Sequence, residues 1–252
     1  MPQTRVCGIL FAVAAFCLSF YEAGSYTTPE TLSGCSLLMS YFISRSQSFT
    51  MPKHKILWLL VMVASALIGS GKAHAFNTVI LDAGHGGHDR GAAIGYVFEK
   101  HLALDTTRRV QQILRAQGLN VIMTRSTDVF IPLAGRSSIG NKYNNAIFVS
   151  IHYNYSRNGT GNGLETFYHR SDSYRLAGFI QAYMIQETRL SNRGVKNARF
   201  HVIRETKRNP AVLVECGFVS NSSERADMMT GRYREKIAAG IAKGIIAYRR
   251  LR

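Results

Sequence analysis

The sequence is poor in cysteine, and the four cysteines are unevenly placed. Three of them, Cys7, Cys17 and Cys35, precede Met51, which leaves Cys216 alone in the rest of the 252-residue chain. A single thiol forms no internal disulfide, so a disulfide-stapled fold is excluded for that part. We expect Cys216 to be a core residue, because it follows Glu215 in a predicted strand and successive strand residues face opposite sides.

Motifs of nucleotide binding and of serine nucleophiles are also missing. The glycine-rich stretch Thr78–Gly91 (TVILDAGHGGHDRG) has neither the Gly-x-Gly-x-x-Gly pattern nor a P-loop Lys followed by Ser or Thr. A Gly-x-Ser-x-Gly nucleophile elbow is absent from the chain as well. What the stretch does contain is His85, placed directly after an apolar run.

Acidic residues are scarce relative to basic ones. The chain has 15 Asp and Glu against 31 Lys and Arg, which gives a formal net charge of +16. This surplus favours an acidic partner, such as an anionic wall polymer or membrane surface. Because the basic residues are scattered and form no long runs, we expect no nucleic-acid partner.

Residues 51–75 have the features of a secretory signal peptide. A positively charged start precedes the apolar run 56–68, which is shorter than the about 20 residues of a membrane span. Ala73-His-Ala75 then forms an A-x-A cleavage site. We predict export to the periplasm or cell envelope, with a retained anchor as the alternative. Since a signal peptide begins a protein, residues 1–50 are interpreted as an upstream over-translation or, alternatively, as a genuine leader.

Residues 76–252 are predicted to form a single domain with a three-layer α/β fold, in which helices flank a mostly parallel central sheet. Short apolar runs indicate buried strands, and apolar residues at helical spacing indicate helices. The first strand–helix–strand unit predicts a parallel pair with a right-handed crossover. The predicted strands are 78–82, 120–124, 146–152, 163–168, 199–203 and 211–215, and the predicted helices are 99–116, 133–143, 173–188 and 233–250.

Polar side chains stand where three of these strands end. His85 follows the first strand, His152 closes the third, and Glu215 closes the strand 211–215. Parallel strands present such residues along one edge of the sheet, where open α/β folds bind ligands. We expect the turn after His85 to carry Glu99, at the start of the first helix, back over this edge.

Two histidines and one carboxylate are a ligand set of catalytic zinc. We therefore predict that His85, Glu99 and His152 bind Zn²⁺, which lowers the pKa of a bound water and polarises a carbonyl. Glu215 is the candidate general base and acid. Ordinary explanations exist: Glu99 could be a helix-start acid favoured by the macrodipole, and Glu215 could pair with a surface arginine. The other histidines are expected to be surface or structural residues: His88, His101, His169 and His201.

The order of motifs between Thr78 and Tyr248 resembles the zinc-dependent N-acetylmuramoyl-L-alanine amidases of the amidase_3 type. The matching residues are DAGHGG (82–87), Glu99, Thr124-Arg125 with Asp128, Leu133 and Arg136, SIHYN (150–154), GLETF (163–167) and PAVLVECGFVSN (210–221). The resemblance implies hydrolysis of the amide between N-acetylmuramic acid and the L-alanine of the peptidoglycan stem peptide. It gives His85, Glu99, His152 and Glu215 the same roles. We expect the substrate groove to include Asn154, Glu165, Arg125 and Arg136.

Two departures from some members of this family lead to further expectations. Only residues 172–197 stand where cell-division members carry a plug helix over the zinc site, so we expect an open site. No separate wall-binding module is recognised, and the basic surface is either a contact to an anionic wall or a solvated face. We expect a monomer acting on peptidoglycan or muropeptides, with the glycines of the turn giving clearance to a bulky polymer. The alternatives are a zinc peptidase cutting within the stem and a non-enzymatic wall-binding protein.

Overall fold

A computed structural model describes residues 76–250, which form one compact unit. The predicted signal peptide and residues 1–50 lie outside the described residues. The elements are, in chain order, β1 (Thr78–Ala83), β2 (Ala93–Ile94), β3 (Val97–Phe98), α1 (Glu99–Ala116), β4 (Asn120–Met123), α2 (Leu133–Lys142), β5 (Ala146–Asn154), β6 (Leu164–Tyr168), α3 (Tyr174–Thr188), β7 (Asn192–Asn197), α4 (His201–Glu205), β8 (Ala211–Phe218), α5 (Ser222–Met228) and α6 (Gly231–Arg250).

Six of the strands form one sheet in the order β4-β1-β5-β8-β6-β7. The first four run parallel, β6 is antiparallel to β8, and β7 is parallel to β6. β2 and β3 pair as a separate small hairpin. The fold is therefore the three-layer α/β arrangement with a mostly parallel sheet that the sequence predicts.

The two faces of the sheet are covered unequally. Val79 and Leu81 belong to a large apolar cluster beneath the long helices α1, α3 and α6, which also takes in Cys216 as predicted. Ile80 belongs to a smaller cluster beneath α2 and α4. Because strand residues alternate, Glu215 faces the side opposite Cys216, which is the thinly covered side. This side leaves room for a site at the strand ends.

Several elements differ from the predicted ones. The segment predicted as the strand 199–203 is instead the helix α4, since a five-residue apolar pattern fits both structures and packing decides between them. The sequence analysis also missed the outer strand β7, the helix α5 and the β2–β3 hairpin. Among residues 76–250, no helix is both long and apolar enough to cross a membrane.

Candidate metal centre and active site

The structure brings His85, Glu99 and His152 together at the carboxyl edge of the parallel strands. One ligand atom of each lies within 4.8 Å of the others. Glu99 stands between the two rings: its Oε1 is 2.8 Å from His152 Nδ1, and its Oε2 is 3.1 Å from His85 Nε2. The imidazoles meet edge to face with ring centroids 4.9 Å apart. Two imidazole nitrogens and a carboxylate oxygen therefore point to one spot.

The carboxylate of Glu99 is fixed by the backbone around it. Glu99 opens α1 after the β2–β3 hairpin, and it is 4% exposed. Its Oε2 accepts the backbone N–H of Ala92 at 2.8 Å, and its Oε1 accepts that of Tyr153 at 3.0 Å. Burial raises the pKa of Glu99, but the hydrogen bonds with His152 and His85 outweigh it and hold this pKa far below its usual range. The carboxyl group is therefore ionised.

A second carboxylate orients His85 from the other side of its ring. Asp89 Oδ2 lies 2.8 Å from His85 Nδ1 and leaves Nε2 directed towards Glu99. Burial lowers the pKa of His85, yet the two carboxylates together raise it above its ordinary value. Metal-binding histidines commonly have such an outer carboxylate partner. The sequence analysis missed Asp89, although its position four residues after His85 was a usable signal.

Arg125 and Arg136, two of the expected groove residues, are mostly buried and hydrogen-bond to the turn that carries His85. Each residue is only 2% exposed. Arg136 donates to Asp82 Oδ1 at 2.8 Å and to the carbonyls of Ala83 and His85. Arg125 donates to the carbonyls of Ala83, Gly84 and Lys100. The two guanidinium groups thus clamp the turn that carries His85, because the carbonyls of this turn lack partners in the sheet.

Two glycines of this turn make room for the side chains that converge at the site. A Cβ at Gly84 would lie 2.4 Å from the His152 ring, and one at Gly91 would lie 2.5 Å from both Glu99 and His85. Gly91 also has a positive φ of 64°. The absent side chains make room for the protein's own converging groups, and substrate clearance by these glycines stays a prediction.

Glu215 lies beside this cluster, opposite His152 in the β5–β8 pair and opposite Glu165 in the β6–β8 pair. The residue is partly exposed, while its Oε2 atom is buried and has no hydrogen-bond partner among the described residues. Burial raises the pKa of Glu215 well above its usual range, and the charges of Glu99 and Glu165 raise it further. Its carboxyl group therefore holds a proton more readily than an exposed glutamate does.

The two remaining groove candidates are joined to each other. Asn154 Nδ2 donates to Glu165 Oε1 at 2.6 Å, and Glu165 is 4% exposed. The other oxygen of Glu165 binds Arg193 and Lys196 of β7. The sequence analysis missed these two cations, since β7 itself is too polar to be recognised as a strand.

A cavity of about 410 Å³ opens beside His85 and His152. Its walls are mostly apolar and include Phe130, Ile131, Leu133, Phe200, Val202 and Leu213. Arg136 and His201 also line this cavity. A concave, mainly apolar space with a few convergent polar groups is the usual form of a small-ligand site.

The chain is similar in sequence to proteins that are named as amidases. The family model described as N-acetylmuramoyl-L-alanine amidase matches residues 79–247. N-acetylmuramoyl-L-alanine amidase LytC of Bacillus subtilis is 30% identical over 250 residues, covering 91% of this chain and 50% of LytC. The Staphylococcus aureus protein named "Probable cell wall amidase LytH" is 32% identical over 174 residues, covering 68% of this chain and 58% of LytH. The chain thus spans about half the length of LytC and a little more of LytH.

A solved structure agrees with this relationship. The catalytic domain of CwlV, an N-acetylmuramoyl-L-alanine amidase from Bacillus (Paenibacillus) polymyxa var. colistinus, is 39% identical and superposes with a TM-score of 0.66. The alignment covers 70% of this chain and all of the CwlV domain. Since the family model covers the whole span from β1 to α6 that holds the converging side chains, the chain belongs to the N-acetylmuramoyl-L-alanine amidase family.

Proposed function

We propose that the protein hydrolyses the amide bond between N-acetylmuramic acid and the L-alanine of the peptidoglycan stem peptide, and that the reaction depends on zinc. The observation that carries this proposal is the convergence of His85, Glu99 and His152 beside Glu215. Membership of the amidase family supports the bond that is cleaved. The geometry supports the roles proposed for these four residues.

The donor set fits zinc in type and in arrangement. His85 Nε2, His152 Nδ1 and a Glu99 oxygen are two imidazole donors and one carboxylate, which would leave one position of a tetrahedral site for substrate or water. A zinc ion held there would polarise the scissile carbonyl and lower the pKa of a water molecule. Asp89 fixes the ring of His85 so that Nε2 faces inward. The clamped turn keeps this nitrogen in place before any ligand arrives.

Glu215 is the proposed general base and general acid. It takes a proton from the attacking water and delivers it to the nitrogen of the leaving L-alanine. Such transfers are most efficient when the pKa of the group is close to the working pH, and burial together with neighbouring carboxylates raises the pKa of Glu215 in that direction. Its Oε2 atom has no hydrogen-bond partner among the described residues, so no structural contact occupies it.

The proposed place of action is the cell envelope. The relative LytH bears the name of a cell wall amidase, and the signal-peptide pattern of residues 51–75 supports export. The basic surplus supports attraction to an anionic wall or membrane surface. We keep the expectation of a monomer, which light scattering of the purified protein would check.

Mass spectrometry of digested muropeptides tests the proposed bond. Cleavage should release a glycan fragment whose muramic acid ends in a free lactyl carboxylate, together with an intact stem peptide that has a free L-alanine amine. A chelator should stop the reaction, and added zinc should restore it. Products in which L-alanine stays on muramic acid would indicate a peptidase instead. Zinc-loaded protein that binds the wall without forming products would indicate a non-enzymatic role.

A further inference from the structure

Two cations lie near the candidate catalytic carboxylate without contributing to the metal centre. Arg193 and Lys196 both belong to β7, the outer strand of the sheet. Arg193 Nε donates to Glu165 Oε2 at 2.9 Å, and Lys196 Nζ forms an ion pair with the same oxygen. Their side chains are 38% and 41% exposed, whereas that of Glu165 is 5% exposed. The carboxylate is buried, while the two cations are partly exposed to solvent.

A local irregularity of β7 puts both cations on the face of Glu165. In a regular strand, residues three apart point to opposite faces. Between the pairs Leu164↔Asn192 and Thr166↔Val195, β7 has one residue more than β6, and Gly194 has a positive φ of 81°. A bulge of this kind re-aims side chains and is frequent beside active sites.

Aromatic rings support both cations. The guanidinium carbon of Arg193 lies 4.9 Å from the ring centroid of Phe218, and Lys196 Nζ lies 5.9 Å from that of Phe167. Held in this way, the side chains lose less freedom when they bind an anion. One cation would neutralise Glu165, so the pair carries a surplus positive charge. An ammonium has three donors, and Glu165 uses one of those of Lys196.

The spacing relates these cations to the scissile bond. Glu215 and Glu165 are direct cross-strand partners, and β7 lies on the other side of β6, two strands from Glu215. At about 4.8 Å per strand, the cations are roughly 10 Å from the catalytic carboxylate. An extended peptide covers about 3.4 Å per residue, so it reaches them within roughly three residues of the scissile amide.

We propose that Arg193 and Lys196, anchored by Glu165, form a subsite that binds a free carboxylate of the stem peptide within about three residues of the cleaved bond. This inference rests on the proposed function and adds a substrate class, namely stem peptides whose carboxylate is free instead of amidated. The physical reason is that Glu99, Glu165 and Glu215 make the site acidic, so an anionic substrate needs cations to offset the repulsion.

The test compares two muropeptides that differ only in whether this carboxylate is free or amidated. A charge-assisted hydrogen bond is worth about 1.5–3 kcal/mol, which corresponds to roughly a 10- to 100-fold change in kcat/KM. The wild-type protein should favour the free carboxylate by this factor. Arg193→Gln combined with Lys196→Gln should remove the preference, mainly by raising KM for the free form. Lys243→Gln, which removes an exposed cation paired with Glu187, is the matched control.

Folding of each variant is checked by thermal unfolding. Lys196→Gln alone leaves Arg193 paired with Glu165. If the double variant unfolds, the same comparison of the two muropeptides is made with this single variant. Equal kcat/KM for both substrates, or equal losses on both in the variant, would overturn the subsite. Calorimetry with the two stem peptides tests binding separately from turnover. Tighter binding of the free carboxylate without any cleavage would refute the proposed function and retain the subsite.

Discussion

Gly84→Ala is the substitution that probes the packing of the candidate metal centre most selectively. A Cβ at this position would lie 2.4 Å from His152 Cε1 and 2.6 Å from both ring nitrogens, whereas ordinary contact begins at 3.4 Å. The imidazole must therefore move by about 1 Å, since the alternative is displacement of the clamped turn. Gly84 is outside the left-handed region, so backbone strain does not add to the effect.

A displacement of about 1 Å exceeds the roughly 0.2 Å that zinc–ligand distances tolerate. We expect zinc affinity to fall at least about 100-fold, which is about 2.7 kcal/mol. Competition with a chromophoric chelator measures this affinity, and urea unfolding of the metal-free protein should show a loss of about 1–3 kcal/mol. Gly178→Ala in α3 is the control, because its Cβ meets no atom within 4 Å. Wild-type zinc affinity of Gly84→Ala would refute the inferred position of His152.

Three further substitutions test other parts of the structure. Asp89→Asn should weaken zinc binding about 10- to 100-fold by releasing the ring of His85, and zinc titration measures the change. Arg136→Leu should destabilise the fold by about 3–5 kcal/mol in urea unfolding, because it leaves Asp82 buried with its charge unpaired. Burial raises the pKa of Asp105, but hydrogen bonds from two arginines outweigh it and lower this pKa. Asp105→Asn should therefore cost less than about 1 kcal/mol near pH 7, because the ion pairs of Asp105 with Arg109 and Arg234 are partly exposed. The difference in unfolding free energy between Asp105→Asn and the wild-type protein should shrink as the pH falls from the ordinary carboxyl pKa through the lowered pKa of Asp105. A cost that grows towards low pH would contradict this prediction.

Most of the fold is predictable because its strands are buried on both faces. The runs at β1, β5 and β8 are apolar enough to be recognised, and α1 was predicted with both ends as observed. β7 is different, since NRGVKN contains one large apolar residue and a bulge at Gly194 interrupts its alternation. Its existence depends on pairing with β6, which local sequence does not encode.

The convergence of His85, Glu99 and His152 is predictable for a related reason. Strand ends fix where two of these side chains lie, and parallel pairing brings the ends to one edge. The direction of the Arg125 and Arg136 side chains is not predictable from local sequence, because a cation that binds backbone carbonyls and one that faces only a substrate look alike in a list of residues. Their direction follows from the unpaired carbonyls of the turn, which appear only in three dimensions.

Zinc content and turnover of the Glu215→Gln variant test the proposed division of roles most directly. The amide keeps the size of the carboxyl group but accepts no proton, so zinc should bind at the wild-type level. Hydrolysis of muropeptides should fall by about 10²- to 10⁴-fold. Glu187→Gln, at an exposed ion pair on α3, should leave both quantities unchanged. Turnover of Glu215→Gln near the wild-type rate, or loss of zinc together with turnover, would contradict a role in proton transfer beside a His85–Glu99–His152 metal centre.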